Sequence, residues 1–251
     1  MNFSLARWPA PRGIVAGYAE PETICLDNVN DVGKLSFNLG EDPSTVKQNR
    51  ALLNHIVGIE SIQWMVQVHG NRVFESSSST LDHSPEADGV WTKEIGKALA
   101  VTTADCVPLV LTDINGSFVS ISHFGWRGAL NGLIDTLFES VPIAQSYVGW
   151  LGPSICGSCY EVGREIVDKL DEVSKRNFCK PNEMVSLSKT VNAQNYDVRW
   201  FFDLPGYIEH LLVQRGVVIS HDHRCTMHDR GLYSYRRNQL AGRFATLVWR
   251  I

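Results

Sequence analysis

The sequence predicts a single domain with a mixed α/β fold, because strand-like and helix-like segments alternate along its 251 residues without a repeat or linker. Residues 117–141 show this most fully. The segment SFVSISH alternates in period two, and FGWRG follows it as a glycine turn. Apolar residues then recur at helical spacing: Leu130, Leu133, Ile134, Leu137, Phe138 and Val141.

Helix caps and periodicity predict the other elements. Asp42 and Pro43 predict the start of a helix that ends at Gly58. Residues 61–68 alternate as a strand, which places His69 on the turn that leaves it. We also expect buried strands at 147–153 and 216–221, and amphipathic helices at 163–174, 204–215 (capped by Asp203) and 237–249.

Composition excludes several classes of protein. Apolar residues make up 44% and charged residues 20%, which is typical of a globular enzyme and not of a disordered chain. A net charge of −4 without a dense basic run argues against nucleic-acid binding. No window resembles a membrane span or a signal peptide, so we expect a cytoplasmic protein with its 6 cysteines reduced. Both a monomer and a homodimer remain open.

Three potential metal ligands each end a strand-like apolar run. His69, Cys106 and His123 lie beside glycine, aspartate or arginine. Taken alone, Cys106 is better explained as a buried thiol and His69 as an ordinary turn residue, and on spacing alone the three together are as well explained by a metal site as by these structural roles. Two imidazoles and a thiolate together are good zinc ligands, and three protein ligands leave the fourth tetrahedral position open for catalysis. Arg127, at the glycine turn before a helix, favours a bound anion nearby.

Two other segments contain cysteine and histidine. HDHRCTMH (221–228) holds four potential ligands in an irregular arrangement, and a polar loop at a strand end explains it better than a second zinc site. CGSC (156–159) could be redox-active or half of a zinc site. No second pair has matching spacing, so we interpret CGSC as structural.

Seven motifs, in this order and approximate spacing, resemble the laccase-domain family. That family is also called the multicopper polyphenol oxidase family, and it includes the peptidoglycan editing factor and purine nucleoside phosphorylases. The resemblance covers roughly residues 36–250, and His221, His223 and His228 are not part of the shared pattern. The motifs are QVHG (67–70), ADGVWT (87–92), TADCVPLVL (103–111), HFGWRG (123–128), GPSICGSCYEVG (152–163), FDL (202–204) and YSYRR (233–237).

The resemblance implies layered mixed β-sheets flanked by helices, and a zinc ion on His69, Cys106 and His123, with copper less favoured. It also implies phosphorolysis of adenosine, inosine, guanosine and 5′-methylthioadenosine, and deamination of adenosine. The partners would then be a nucleoside and phosphate. Roles follow as a hypothesis: phosphate on Arg127 and on Arg236 or Arg237, and acid/base or orienting groups in Asp105 and Glu161. For both carboxylates, an ordinary hydrogen-bonded turn or helix-start residue is an equal alternative.

Three other functions stay open. A copper oxidase is disfavoured. Multicopper oxidases hold their copper cluster with about ten histidines, many of them in H-x-H pairs. This chain has 8 histidines and one H-x-H pair. A metal-free amide hydrolase acting on a muropeptide precursor would use Cys106 as nucleophile and His123 or His69 as base. A non-enzymatic binding module gains little support from polar groups that converge at strand ends.

Overall fold

Three β-sheets carry the fold of the computed structural model, which describes residues 1–21, 34–37, 42–77, 84–181, 199–239 and 242–251. In chain order the strands are β1 Asn2–Leu5, β2 Ile14–Glu20, β3 Ser61–Gln63, β4 Val73–Glu75, β5 Gly89–Thr92, β6 Lys97–Thr103, β7 Val107–Asp113, β8 Val119–Phe124, β9 Tyr147–Leu151, β10 Glu161–Val162, β11 Cys179–Pro181, β12 Trp200–Phe202, β13 Val217–His221 and β14 Phe244–Arg250. The helices of the described segments are α1 Pro43–Val57, α2 Trp126–Leu130, α3 Leu133–Ser140, α4 Arg164–Val167, α5 Glu172–Phe178 and α6 Leu204–Val213.

The two large sheets are mixed. One has the strand order β1-β2-β14-β6-β3, in which only β3 runs parallel to its neighbour. The other has the order β13-β9-β7-β8-β5-β4, with parallel pairs at its two ends. A small antiparallel sheet has the order β10-β12-β11. The chain crosses between the large sheets at residues 104–106, directly before β7.

The sheets and helices pack in layers around three apolar clusters. The first fills the space between the two large sheets, and includes Tyr18, Val101, Val110 and Trp150. A second covers the opposite face of the six-stranded sheet with α2, α3, α6 and the small sheet. A third packs α1 against the outer face of the five-stranded sheet. This arrangement confirms the mixed α/β fold with layered sheets flanked by helices.

Local signals at helix ends are confirmed. The Asp42 carboxylate accepts a hydrogen bond from the Thr45 backbone N–H at 2.9 Å, and Pro43 is the first residue of α1. Gly58 ends the helix in the left-handed conformation, with φ 68°. The expected strands at 147–153 and 216–221 correspond to β9 and β13, and the helix at 204–215 to α6.

Three sequence predictions differ from the structure. The helix expected at 237–249 is wrong, because residues 244–250 form β14, the central strand of its sheet. That strand is buried on both faces, so its apolar run lacks the alternation that identifies a strand. The helix expected at 163–174 divides into α4 and α5, and Asp171 caps the second. The strand expected over 61–68 is hydrogen-bonded as β3 only at 61–63.

In the part of the chain that is described, no helix combines the length and apolarity that crossing a bilayer requires.

Replacing Asp203 tests the cap of α6. Its carboxylate accepts a hydrogen bond from the Gly206 backbone N–H at 3.1 Å. We expect Asp203→Ala to lower the free energy of unfolding by about 1 kcal/mol, and Asp203→Asn to retain most of it, because asparagine also caps helices. Urea denaturation followed by circular dichroism measures both. Equal destabilisation by the two variants would contradict a capping role.

Candidate metal centre and its cavity

Strand register brings two of the predicted metal ligands together. β7 and β8 pair Pro108 with His123 and Val107 with Phe124, so Cys106, one residue before β7, lies beside the end of β8. His69 reaches the same place from the loop that follows β3. The ligand atoms of His69, Cys106 and His123 all lie within 4.8 Å of one another. The three residues therefore form one cluster at the mouth between the two large sheets.

A buried carboxylate fixes two of these ligands. Asp88 Oδ1 lies 2.8 Å from His123 Nδ1, which leaves His123 Nε2 to face the cluster. The same carboxylate accepts backbone N–H bonds from Val68, His69 and Gly70 at 3.2, 3.1 and 2.6 Å. A carboxylate on the distal nitrogen of a histidine ligand sets its tautomer and its orientation. Asp88 does this for His123 and also holds the loop that carries His69.

The two imidazoles differ in protonation. Burial, followed by the positive charge of His123, lowers the pKa of His69 to about 4, so its ring is neutral and can accept a metal at neutral pH. Burial opposes the charged form of His123, but the charge on Cys106 and the hydrogen bond to Asp88 outweigh it and raise the pKa of His123 to about 9. A metal ion bound here therefore competes with the proton on His123.

Backbone geometry at the cluster is unusual in two residues. His69 has φ 58° and Asp105, next to Cys106, has φ 96°, values that cost residues other than glycine about 1–3 kcal/mol each. Gly125 has an ordinary φ of −77°, yet a Cβ atom there would lie 2.4 Å from His69 Nδ1 and 3.4 Å from Cys106 Sγ. Glycine is required at 125 because the ligands occupy the space of a side chain.

The cluster opens into a cavity of about 510 Å³. Three arginines, Arg127, Arg236 and Arg243, line it together with aromatic side chains. The Arg127 guanidinium lies 4.5 Å from the Trp126 ring centroid, and that of Arg236 lies 4.9 Å from the Tyr160 centroid. The cavity is therefore cationic beside the metal ligands. Its lining comprises Ser36, Gln67, His69, Thr102, Thr103, Ala104, Asp105, Cys106, His123, Gly125, Trp126, Arg127, Tyr160, Tyr235, Arg236 and Arg243.

The other predicted site residues take different positions. Asp105 lines the cavity, but its carboxylate accepts from Thr226 Oγ1 at 2.6 Å and from the Arg236 backbone N–H at 2.7 Å. Glu161 begins β10 outside the lining, and its carbonyl accepts from Arg236 Nη1 at 2.5 Å. Arg237 also lies outside the lining. Its guanidinium donates to four backbone carbonyls, those of Thr226, Met227, Asp229 and Leu232.

Comparison with known proteins decides the family. The sequence signature of the family described as multi-copper polyphenol oxidoreductase laccase matches residues 27–251. The chain belongs to this family. Similar proteins with the name purine nucleoside phosphorylase include one from Xylella fastidiosa, 30% identical over 262 residues (98% of this chain, 95% of the relative), and one from Pseudomonas aeruginosa, 32% identical over 249 residues (96% of each).

Solved structures share the fold. The crystal structure of a Neisseria meningitidis protein is 25% identical, covers 100% of this chain and 99% of its own, and superposes with a TM-score of 0.81. The described segments of this chain therefore share the fold of that protein.

Sequence reasoning missed Asp88 and Arg243. Asp88 lies within the ADGVWT motif and is fully buried directly before a strand, where a carboxylate needs several hydrogen-bond partners. Its position in an apolar segment at the start of a strand could therefore have identified Asp88 from the sequence. Arg243 lies in the segment that was wrongly assigned to a helix, and only its place before β14 brings it to the cavity.

The structure also brings together two segments that lie far apart in the sequence. Cys156 and Cys159 of CGSC lie with Cys225 and His228 of HDHRCTMH, and their four ligand atoms are within 4.8 Å of one another. His221 and His223 stack on each other outside this group. CGSC therefore has the second ligand pair that its sequence spacing did not show.

Replacing Asp88 tests its control of the metal ligands. We expect Asp88→Asn to weaken metal binding about 10- to 100-fold, because the amide cannot hold both His123 and the loop at 68–70 as the carboxylate does. Competition with a chromogenic chelator measures the affinity. The matched control is Asp113→Asn, a buried carboxylate at the other end of β7 that accepts from Ser117. An affinity equal to that of the control would disprove this role.

A methyl group at position 125 tests the space left for the ligands. We expect Gly125→Ala to weaken metal binding while the fold is retained, since φ −77° suits alanine and the clash falls on His69 Nδ1. Gly231→Ala is the control, because its Cβ would lie no closer than 3.1 Å, and that atom is the flexible carboxylate of Asp229. Affinity is measured by the same competition, and circular dichroism checks the fold. Unchanged affinity would show that His69 is not a ligand.

Proposed function

We propose that this protein is a zinc-dependent purine nucleoside phosphorylase that also deaminates adenosine. The observation that carries the proposal is one cavity in which His69, Cys106 and His123 face three arginines. The names of the similar proteins from Xylella fastidiosa and Pseudomonas aeruginosa support the same activity. Adenosine, inosine, guanosine and 5′-methylthioadenosine are the proposed substrates.

The donor set fits zinc. Two imidazole nitrogens and one thiolate are typical zinc ligands, and three protein ligands leave a position open to substrate or water. Copper is the alternative metal, because it binds the same donors. When bound, the metal supplies a Lewis acid and a water of lowered pKa, which are of use in polarising a substrate oxygen and in deamination.

The arginines are suited to phosphate. Arg127, Arg236 and Arg243 line one cavity, and guanidinium matches the geometry of phosphate oxygens. Stacking on Trp126 and Tyr160 restricts the first two before an anion binds. We assign Asp105 and Glu161 to positioning Arg236, Asp105 through its carboxylate and Glu161 through its carbonyl oxygen. Arg237 stabilises the segment 226–232 by donating hydrogen bonds to four of its backbone carbonyls.

In phosphorolysis, a phosphate oxygen attacks the anomeric carbon of the nucleoside. The bond from that carbon to the purine nitrogen breaks, and the purine leaves with the electron pair and takes up a proton. The products are the free purine and ribose 1-phosphate. The arginines hold the attacking anion beside the sugar, so that its approach is intramolecular in effect. Deamination uses the same purine pocket: water replaces the exocyclic amino group, and ammonia leaves.

A thiol hydrolase is the second candidate, and one observation favours it. Asp88, His123 and Cys106 form a hydrogen-bonded series, the order of groups found in a cysteine nucleophile with its base and orienting acid. Such an enzyme would cleave an amide, as in a muropeptide precursor, without metal. Full activity after removal of metal by a chelator would favour the hydrolase over the phosphorylase.

Arginine replacement separates phosphorolysis from the other activities. With adenosine, we expect adenine and ribose 1-phosphate only when phosphate is present. Arg127→Ala should lower this reaction roughly 10- to 150-fold, which is the loss of about 1.5–3 kcal/mol for a hydrogen bond to a charged group. Deamination to inosine should change less, because it binds no anion. Chromatography of the products measures both.

The control for Arg127→Ala is Arg164→Ala, which removes an arginine whose side chain is exposed and forms an ion pair with Asp168. Equal loss of both activities in Arg127→Ala would mean that Arg127 is structural. Release of adenine without phosphate would point to a hydrolase.

A further inference from the structure

Four further ligands meet in a second cluster, away from His69, Cys106 and His123. It consists of Cys156, Cys159, Cys225 and His228, whose ligand atoms lie within 4.8 Å of one another. All three thiols are free, without a disulfide. Three sulfurs and one imidazole make a complete tetrahedral set, which is the composition of structural zinc sites. The first cluster, in contrast, supplies three ligands and stays open.

Each half of the second cluster is a tight turn. In the first, the N–H groups of Cys159 and Tyr160 donate to the carbonyl of Cys156 at 3.0 and 3.1 Å. In the second, those of His228 and Asp229 donate to the carbonyl of Cys225 at 3.1 and 2.8 Å. Both turns place ligands at positions i and i+3, as Cys-x-x-Cys and Cys-x-x-His. This spacing directs two ligand side chains to the same point.

The two turns are fixed to each other by backbone bonds. Ser154 N–H donates to the Arg224 carbonyl at 3.2 Å, and Thr226 N–H donates to the Ser154 carbonyl at 3.0 Å. The Cys156 N–H also points at Cys225 Sγ, at 3.3 Å. An N–H donor on the sulfur stabilises a thiolate ligand. The ligands are thus held in place by the fold itself.

We propose that Cys156, Cys159, Cys225 and His228 bind a second, structural zinc ion. With zinc–sulfur bonds of about 2.3 Å and zinc–nitrogen bonds of about 2.0–2.1 Å, sulfur and nitrogen ligands of a tetrahedral site lie about 3.5–3.8 Å apart. The 3.1 Å contact between Cys159 Sγ and His228 Nε2 would have to lengthen by about half an ångström to admit the ion. Cys156 and Cys225 also line a cavity of about 620 Å³, which gives the ion a route from solvent.

The second cluster stabilises the wall of the first cavity. Tyr160, next to Cys159, lines that cavity, and Thr226, next to Cys225, donates its hydroxyl hydrogen to Asp105. Asp105 in turn precedes Cys106. Zinc at the second cluster would therefore crosslink two loops, 69 residues apart at Cys156 and Cys225, one of which lines the first cavity through Tyr160 while the other bonds to Asp105 through Thr226.

Metal content of purified protein tests the proposal. We expect His228→Ala to hold one equivalent of zinc less than the unaltered protein, measured by inductively coupled plasma mass spectrometry after purification in reductant. His228 is the exposed member of the cluster, so this change leaves the core intact. Cys225→Ser should lose the same equivalent. After cobalt substitution, the sulfur-to-cobalt charge-transfer absorption should fall sharply in Cys225→Ser, since most of the thiolate ligands belong to this cluster.

Two control variants make the result specific. His223→Ala removes a nearby histidine outside the cluster, and Cys179→Ser removes a free thiol in β11. Both should keep the full zinc content, and Cys106→Ala should keep the equivalent that His228→Ala loses. Zinc content in His228→Ala and Cys225→Ser equal to that of the controls would overturn the proposal. A disulfide between Cys156 and Cys159 in protein purified with reductant would also overturn it.

Discussion

The site depends on one buried carboxylate. Asp88 is fully buried, and burial alone would favour its neutral form, but hydrogen bonds from His123 and from the backbone at 68–70 lower its pKa. The negative charge is retained because four donors surround it. One side chain thus sets the tautomer of a ligand in β8 and the path of the loop that carries His69. Cys106 needs no such control, since the register of β7 and β8 already places it.

Two residues at the cluster of metal ligands have a strained backbone, and hydrogen bonds with neighbouring groups hold them in that conformation. His69 and Asp105 both have positive φ, and each is held by hydrogen bonds that a relaxed backbone would lose. For His69 the holding group is Asp88, and for Asp105 it is the pair Thr226 and Arg236. A strained backbone conformation persists only where the surrounding contacts enforce it. Their position beside the metal ligands indicates that the strain is retained for the geometry of the site.

Sequence predicted the features that depend on short segments. Asp42, Pro43 and Gly58 marked the first helix, because caps are local hydrogen bonds. His69, Cys106 and His123 were identified because each ends an apolar run, and strand ends gather at one edge of a layered fold. The strand at 244–250 was missed because burial on both faces removes its period. The second cysteine cluster was missed because its halves are too far apart in sequence for spacing to relate them.

The two clusters differ in a way that follows from their positions. The ligands of the first come from one loop and from the ends of β7 and β8 beside an open cavity, so three side chains converge and a fourth direction faces that cavity. Those of the second come from two turns bonded to each other, so all four directions are filled by protein. Asp105 connects them, with its backbone beside Cys106 and its carboxylate on Thr226. The spacing of the two turns and the position of Cys106 therefore share one hydrogen-bonded residue, Asp105.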